Sequence, residues 1–151
     1  MLKLSLGYSD QTVLENCSAT HLKSQGHNPM DSVRLRGKVI PGYQRGGKEL
    51  GFPTANLSVE TTLSDGVYCG RAVLFSEERL MVMSIGHNPH YGNQNRSVEV
   101  HILHTYEQDF YGEILEVQVC HHLRDMSKFD SVKQLISAIE HDITLARQLL
   151  T

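Results

Sequence analysis

With 151 residues, 40% of them hydrophobic, and a net charge of −3, the chain is long enough to bury one core and short for two. Its pI near 6.3 supplies no global field for nucleic acid or an anionic membrane, so any anion site must be local. No apolar run approaches the roughly 20 residues of a membrane span. Cys17, Cys69 and Cys120 show no CxxC spacing and fit reduced thiols better than a disulfide framework. The N-terminus is not basic and carries Asp10 and Glu15, so a cytoplasmic protein without a leader peptide is expected.

Residues 1–33 are polar and lack a sustained period, and they read as a loosely ordered extension to a domain at 34–151. From Val33 onward the character changes. RLRGKVI (34–40), GVYCGRAVLF (66–75), LMVMSIG (80–86), SVEVHILHTY (97–106) and EILEVQVCHH (113–122) are short runs of Val, Ile, Leu and Tyr separated by Gly, Pro, Asn and Asp. Five such strands without an intervening helical pattern predict an antiparallel barrel or sandwich. In DSVKQLISAIEHDITLARQLL the apolar residues recur at steps of three and four, from Val132 through Leu135, Ile139 and Ile143 to Leu150. Ser131 and Gln134 add a capping box, so an amphipathic helix should close one side of the sheet.

Between the first two runs lies GGKELGFPTAN (46–56). Gly42 to Lys48 satisfies the first seven positions of a Walker A motif, but Glu49 replaces the Ser or Thr that would bind magnesium, and Leu50-Gly51-Phe52-Pro53 starts no helix. A P-loop is therefore excluded, while the physics of the segment survives. Its glycines let backbone N–H groups approach a phosphate, and the fifteen residues 34–48 hold five of the chain's fourteen Lys and Arg and no acid. The alternative is an exposed loop with solvated charges. Pro53 fixes its own φ and pushes Phe52 into an extended conformation, so Thr54 and Asn56, two apart in an extended segment, should point the same way and offer a hydroxyl and an amide oxygen, hard neutral donors of the kind Mg²⁺ accepts beside phosphates and water; the alternative is a pair of ordinary turn residues.

Within SVEVHILHTY, alternation sets Val98, Val100 and Ile102 on one face and Glu99, His101 and Leu103 on the other. A carboxylate so placed is able to accept the proton of an alcohol during transfer of a phosphoryl group, or is simply a solvated strand residue. The nine histidines show no set of three or four ligands at zinc spacing.

The linked motifs RGKVIPGYQRGGKELGFPTANL, DGVYCGRAVL, MSIGHNPHYG, SVEVHILHTYEQDFYGEILEVQV and LRDMSKFDSVKQLISAIEHDI resemble the riboflavin kinase (flavokinase) family from Val33 to Leu150. The resemblance implies a six-stranded antiparallel Greek-key β-barrel with a C-terminal helix, which transfers the γ-phosphoryl group of ATP to the 5′-hydroxyl of riboflavin and releases FMN and ADP. It gives Glu99 the role of catalytic base and Thr54 and Asn56 that of ligands to Mg²⁺, for which Zn²⁺ or Mn²⁺ are substitutes. Gly42, Lys48, Ile102, His104 and Tyr111 become contacts of ATP, with Thr54 and Asn56. Arg124, Ser127 and Gln134 become contacts of riboflavin or FMN, the arginine serving either the ring or a phosphate. Asp125 stands where relatives often carry proline, Gln134 where a small residue is usual, and His87 fills a variable position.

A monofunctional, monomeric kinase is thus expected, since residues 1–33 are too few for a fused adenylyltransferase, with no nucleic-acid or membrane partner. A non-catalytic barrel that carries flavin or nucleotide is the alternative. An oligonucleotide-binding barrel has little support from 7% aromatic residues. The glycine-rich loop from Pro41 to Gly51 is expected to become ordered with nucleotide.

Overall fold

The computed structural model describes residues 29–41, 50–87 and 96–151. All five predicted strands form, and a sixth joins them: β1 (Pro29–Ile40), β2 (Ala55–Ser58), β3 (Gly66–Leu74), β4 (Glu77–His87), β5 (Arg96–Ile102) and β6 (Ile114–Arg124), followed by α1 (Val132–Leu150). They close into a barrel in the order β1-β2-β5-β4-β3-β6, and every adjacent pair is antiparallel. Placing β2 beside β5 instead of β3 makes the connection a Greek-key step. β1 begins at Pro29, five residues ahead of the RLRGKVI run.

Alternation along the strands builds two apolar layers. Leu35, Val39, Leu57, Met81, Met83, Ile85, Val98, Val100, Leu115, Val117 and Val119 fill the barrel interior. Val67, Cys69, Val82, Cys120 and Leu123 point outward and are covered by Leu145, Ala146, Leu149 and Leu150 of α1. β3 is thus buried on both faces, which explains why GVYCGRAVL reads as a continuous apolar run. Each large side chain in these layers stabilises the fold by roughly 1.5–3 kcal/mol through burial. β3 and β6 approach closely at Gly70, where an added Cβ would lie 1.8 Å from the Gln118 carbonyl oxygen.

The ends of the elements show how local chemistry adjusts the predicted limits. Ser131 caps α1, its Oγ accepting from the Gln134 N–H at 3.1 Å. The reciprocal bond goes one residue further back than a capping box requires, because Gln134 Oε1 accepts from the Asp130 N–H at 3.1 Å. β5 stops at Ile102 and does not reach Tyr106. The chain turns there, with the His104 N–H on the Ile102 carbonyl at 2.7 Å, and sends Tyr106 into an aromatic cap with Phe75 and Phe110.

Cys69 is free and fully buried, and burial together with the Asp142 charge pushes its thiol up to about 12. Among the described residues, no helix is long and apolar enough to cross a membrane.

Candidate active site

Thr54, Asn56 and Glu99 meet on the outside of the barrel where β2 lies against β5. Gly51 begins the approach with φ of 89°, a left-handed conformation that glycine adopts without a Cβ penalty. Phe52 and Pro53 are then fastened to β5 by His101. Its Nδ1 lies 2.7 Å from the Pro53 carbonyl oxygen, and because a carbonyl only accepts, Nδ1 carries the proton. The Phe52 ring meets the His101 ring edge-on at 5.9 Å and 83°. Thr54 consequently lands beside Glu99, and its hydroxyl donates to Glu99 Oε1 at 3.1 Å. Asn56 is in direct register with Glu99, so the two side chains share a face.

The register continues around the barrel. Glu99 faces Ser84 on β4, Ser84 faces Val67 on β3, and Val67 faces Arg124 at the end of β6. β5 and β6 are three places apart in the closed six-stranded order, so Glu99 and Arg124 stand on opposite sides of the barrel, and Val67 between them is covered by α1. Arg124 is held by Asp142 of α1, Nε at 2.9 Å from Oδ1 and Nη2 at 2.8 Å from Oδ2, and its guanidinium carbon lies 5.6 Å from the centre of the Phe129 ring.

The other predicted contacts distribute as follows. Ile102 buries its side chain inside the barrel, leaving only its backbone for a ligand. His104 and Tyr111 are exposed, and His104 stacks edge-on with Tyr106 at 4.9 Å. Ser127 is exposed in the segment after Arg124, while Gln134 is engaged in the helix cap. Gly42 and Lys48, with the loop expected to order around nucleotide, lie outside the described residues.

Sequence reasoning missed two partners. Asp142 is 2% exposed and interrupts the apolar stripe of α1 beside Ile143, a signal that an acid there needs a cationic partner. The other is His101, whose place on the Glu99 face of β5 lets it secure the Phe52-Pro53 turn.

As a metal site, the group offers one hydroxyl, one amide oxygen and one carboxylate. No cluster of three His, Cys, Asp or Glu occurs among the described residues. Such hard oxygens suit magnesium, which keeps water and phosphate in most of its octahedron.

Known proteins give the arrangement its context. A family model described as riboflavin kinase matches residues 30–150. The human riboflavin kinase is 46% identical over 122 residues, covering 76% of this chain and 79% of that protein. Among solved structures, riboflavin kinase from Trypanosoma brucei superposes with a TM-score of 0.62 at 27% identity, covering 79% of this chain and 80% of that one. A chain described as a macrolide-efflux protein from Streptococcus pneumoniae gives a TM-score of 0.68 at 30% identity, covering 92% of this chain and 46% of that one.

Barrel and matches together define a kinase acting on a small molecule. The chain belongs to the riboflavin kinase family, whose reaction phosphorylates riboflavin to FMN with ATP as co-substrate.

Proposed function

We propose that the reaction takes place on the β2–β5 face, with Glu99 as general base and Thr54 and Asn56 as the protein ligands of a magnesium ion. The primary alcohol at the end of the ribityl chain is not ionised near neutral pH, so its oxygen needs a proton acceptor as it attacks. Glu99 takes that proton while the bond from oxygen to the γ-phosphorus forms and the bond from that phosphorus to the bridging oxygen of ADP breaks. Magnesium, when bound, neutralises charge on the phosphates. Thr54 is suited to both tasks: its hydroxyl donates to Glu99 Oε1 and keeps lone pairs for a cation. Gly42 and Lys48 complete the reading as contacts of the ATP phosphates.

The convergence of Thr54, Asn56 and Glu99 carries this reading. Its test is chromatographic detection of FMN after mixing the protein with riboflavin, ATP and Mg²⁺, alongside Glu99→Gln. We expect FMN from the wild type and a loss of about 10²- to 10⁴-fold in the variant, the range for a general base, with riboflavin binding retained. Turnover by Glu99→Gln at the wild-type rate would remove Glu99 from the chemistry.

A further inference from the structure

We propose that Lys38 is a further cation of the active site, whose ammonium group contacts the phosphoryl group that passes to riboflavin. This role rests on the proposed placement of that group at Asn56 and Glu99.

Leu35 and Val39 fill the barrel interior, so Arg34, Arg36, Lys38 and Ile40 alternate with them on the outer face of β1, and all four are exposed. β1 lies beside β2 in the barrel, with Lys38 opposite Ser58 and Ile40 opposite Asn56. Asn56 is therefore the diagonal neighbour of Lys38, about 7–8 Å away, a separation that long side chains span. The two strands come together closely here, since a Cβ on Gly37 would collide with the Ser58 carbonyl oxygen.

The cations of this face differ in what they meet. Arg34 is engaged by Glu116 at 3.7 Å, and Arg36 stands directly opposite the same acid. Lys38 has Ile114 opposite it on β6 and Ser58 on β2, and it makes no ion pair or hydrogen bond among the described residues. On the β1 side of Asn56 the strand thus offers the apolar Ile40 and one charge without an acid to hold it. On the β5 side stands Glu99, whose carboxylate repels a phosphate. A mobile ammonium across from it offsets that repulsion and holds the phosphoryl group against the base. The same group ends as the phosphate of FMN, so Lys38 distinguishes FMN from riboflavin, which carries no charge for it to meet.

The test measures FMN and riboflavin affinities by flavin fluorescence quenching in Mg²⁺ and ADP, for the wild type, Lys38→Met, Lys38→Arg and Arg34→Met. Lys38→Met should weaken FMN binding about 5- to 10-fold, the scale of one charge-assisted contact at an exposed site, with riboflavin binding unchanged. Lys38→Arg keeps the charge and should retain most of the FMN affinity. Arg34→Met removes an equal charge four residues back on the same face and should leave the ratio of the two affinities at the wild-type value. Equal losses for FMN and riboflavin in Lys38→Met, no loss for either, or the same selective loss in Arg34→Met overturns the role of Lys38. Asn56→Ala separates that failure from failure of the underlying placement. If Asn56→Ala binds FMN and forms it from riboflavin and ATP as the wild type does, the phosphoryl group is not on this face and both readings fall; if it loses FMN affinity while Lys38→Met does not, Lys38 alone is excluded.

Discussion

Asp142 grips the Arg124 guanidinium through two nitrogens, at 2.9 and 2.8 Å, from a side chain that is only 3% exposed. The pair ties the C-terminal helix to the end of β6 and leaves Nη1, with a long contact of 3.4 Å to the Asp125 carbonyl, as the freest edge for a ligand. Removing only the acid, as in Asp142→Leu, strands a cation that is itself about one-quarter exposed. We expect a loss of about 2–3 kcal/mol, below the range for a fully buried broken pair. Combining it with Arg124→Met should recover most of that stability, because apolar replacements of a buried pair are often neutral. Riboflavin affinity, measured by fluorescence quenching, should stay weakened in the double variant. If affinity returns together with stability, Arg124 serves packing and not the flavin.

The Thr54 hydroxyl faces Glu99, and Thr54→Val removes it at constant shape. Such a change should raise the Mg²⁺ concentration for half-maximal FMN formation by about 10-fold or more, the scale on which metal sites respond to lost partners. The KM for riboflavin should change little. A metal titration that superposes on that of the wild type would assign Thr54 to the turn alone.

These effects were legible in the sequence to different degrees, for physical reasons. Alternation at Val98–Ile102 fixed which face holds Glu99, and Pro53 made Thr54 and Asn56 co-facial; both rules are local, and the structure obeys them. β2, only four residues long, is too short to show a period, so its strand character emerges only from pairing with β1 and β5. The Arg124–Asp142 pair spans 18 residues, and nothing local announces it except an acid on an apolar stripe. The same holds for the positions of Glu99 and Arg124 on their strands, since register around a closed barrel is a property of the whole sheet.

Two turn and packing glycine positions should respond in opposite directions. Phe75 and Ser76 form the two-residue β3–β4 loop with φ of 52° and 61°, the left-handed geometry of a type I′ turn, which costs a non-glycine residue roughly 1–2 kcal/mol. Phe75 is retained there by its contacts with Tyr106 and Phe110; Ser76 has no such compensation among the described residues. Ser76→Gly should therefore stabilise the fold by up to about 1 kcal/mol, a rise of roughly 2–4 °C in Tm for a domain of this size. Gly70→Ala, by contrast, drives a methyl group into the Gln118 carbonyl and should cost about 2 kcal/mol or more, by overpacking. Calorimetry on both variants decides the matter; a stable Gly70→Ala would mean that β3 and β6 separate easily.

Asp65, just before β3, links the ends of β4 and β5, accepting from Arg96 Nη1 at 3.2 Å and lying 2.7 Å from His87 Nδ1. Partial burial opposes its ionisation, but hydrogen bonds to His87 and Arg96 outweigh that and hold the carboxyl below its ordinary value of 3.8. A folded-state pKa below the unfolded one means the stabilisation is fully present above the unfolded value and disappears as pH falls through the folded one. With the Asp65 side chain 35% exposed, screening limits the effect to within about 1 kcal/mol. Thermal melts of wild type and Asp65→Asn should therefore differ near neutral pH, the wild type being the more stable, and converge in acid as the pH falls below the ordinary value of 3.8 and through the folded-state one. A gap in melting temperature that persists unchanged into acid would show that Asp65 acts by shape and not by charge.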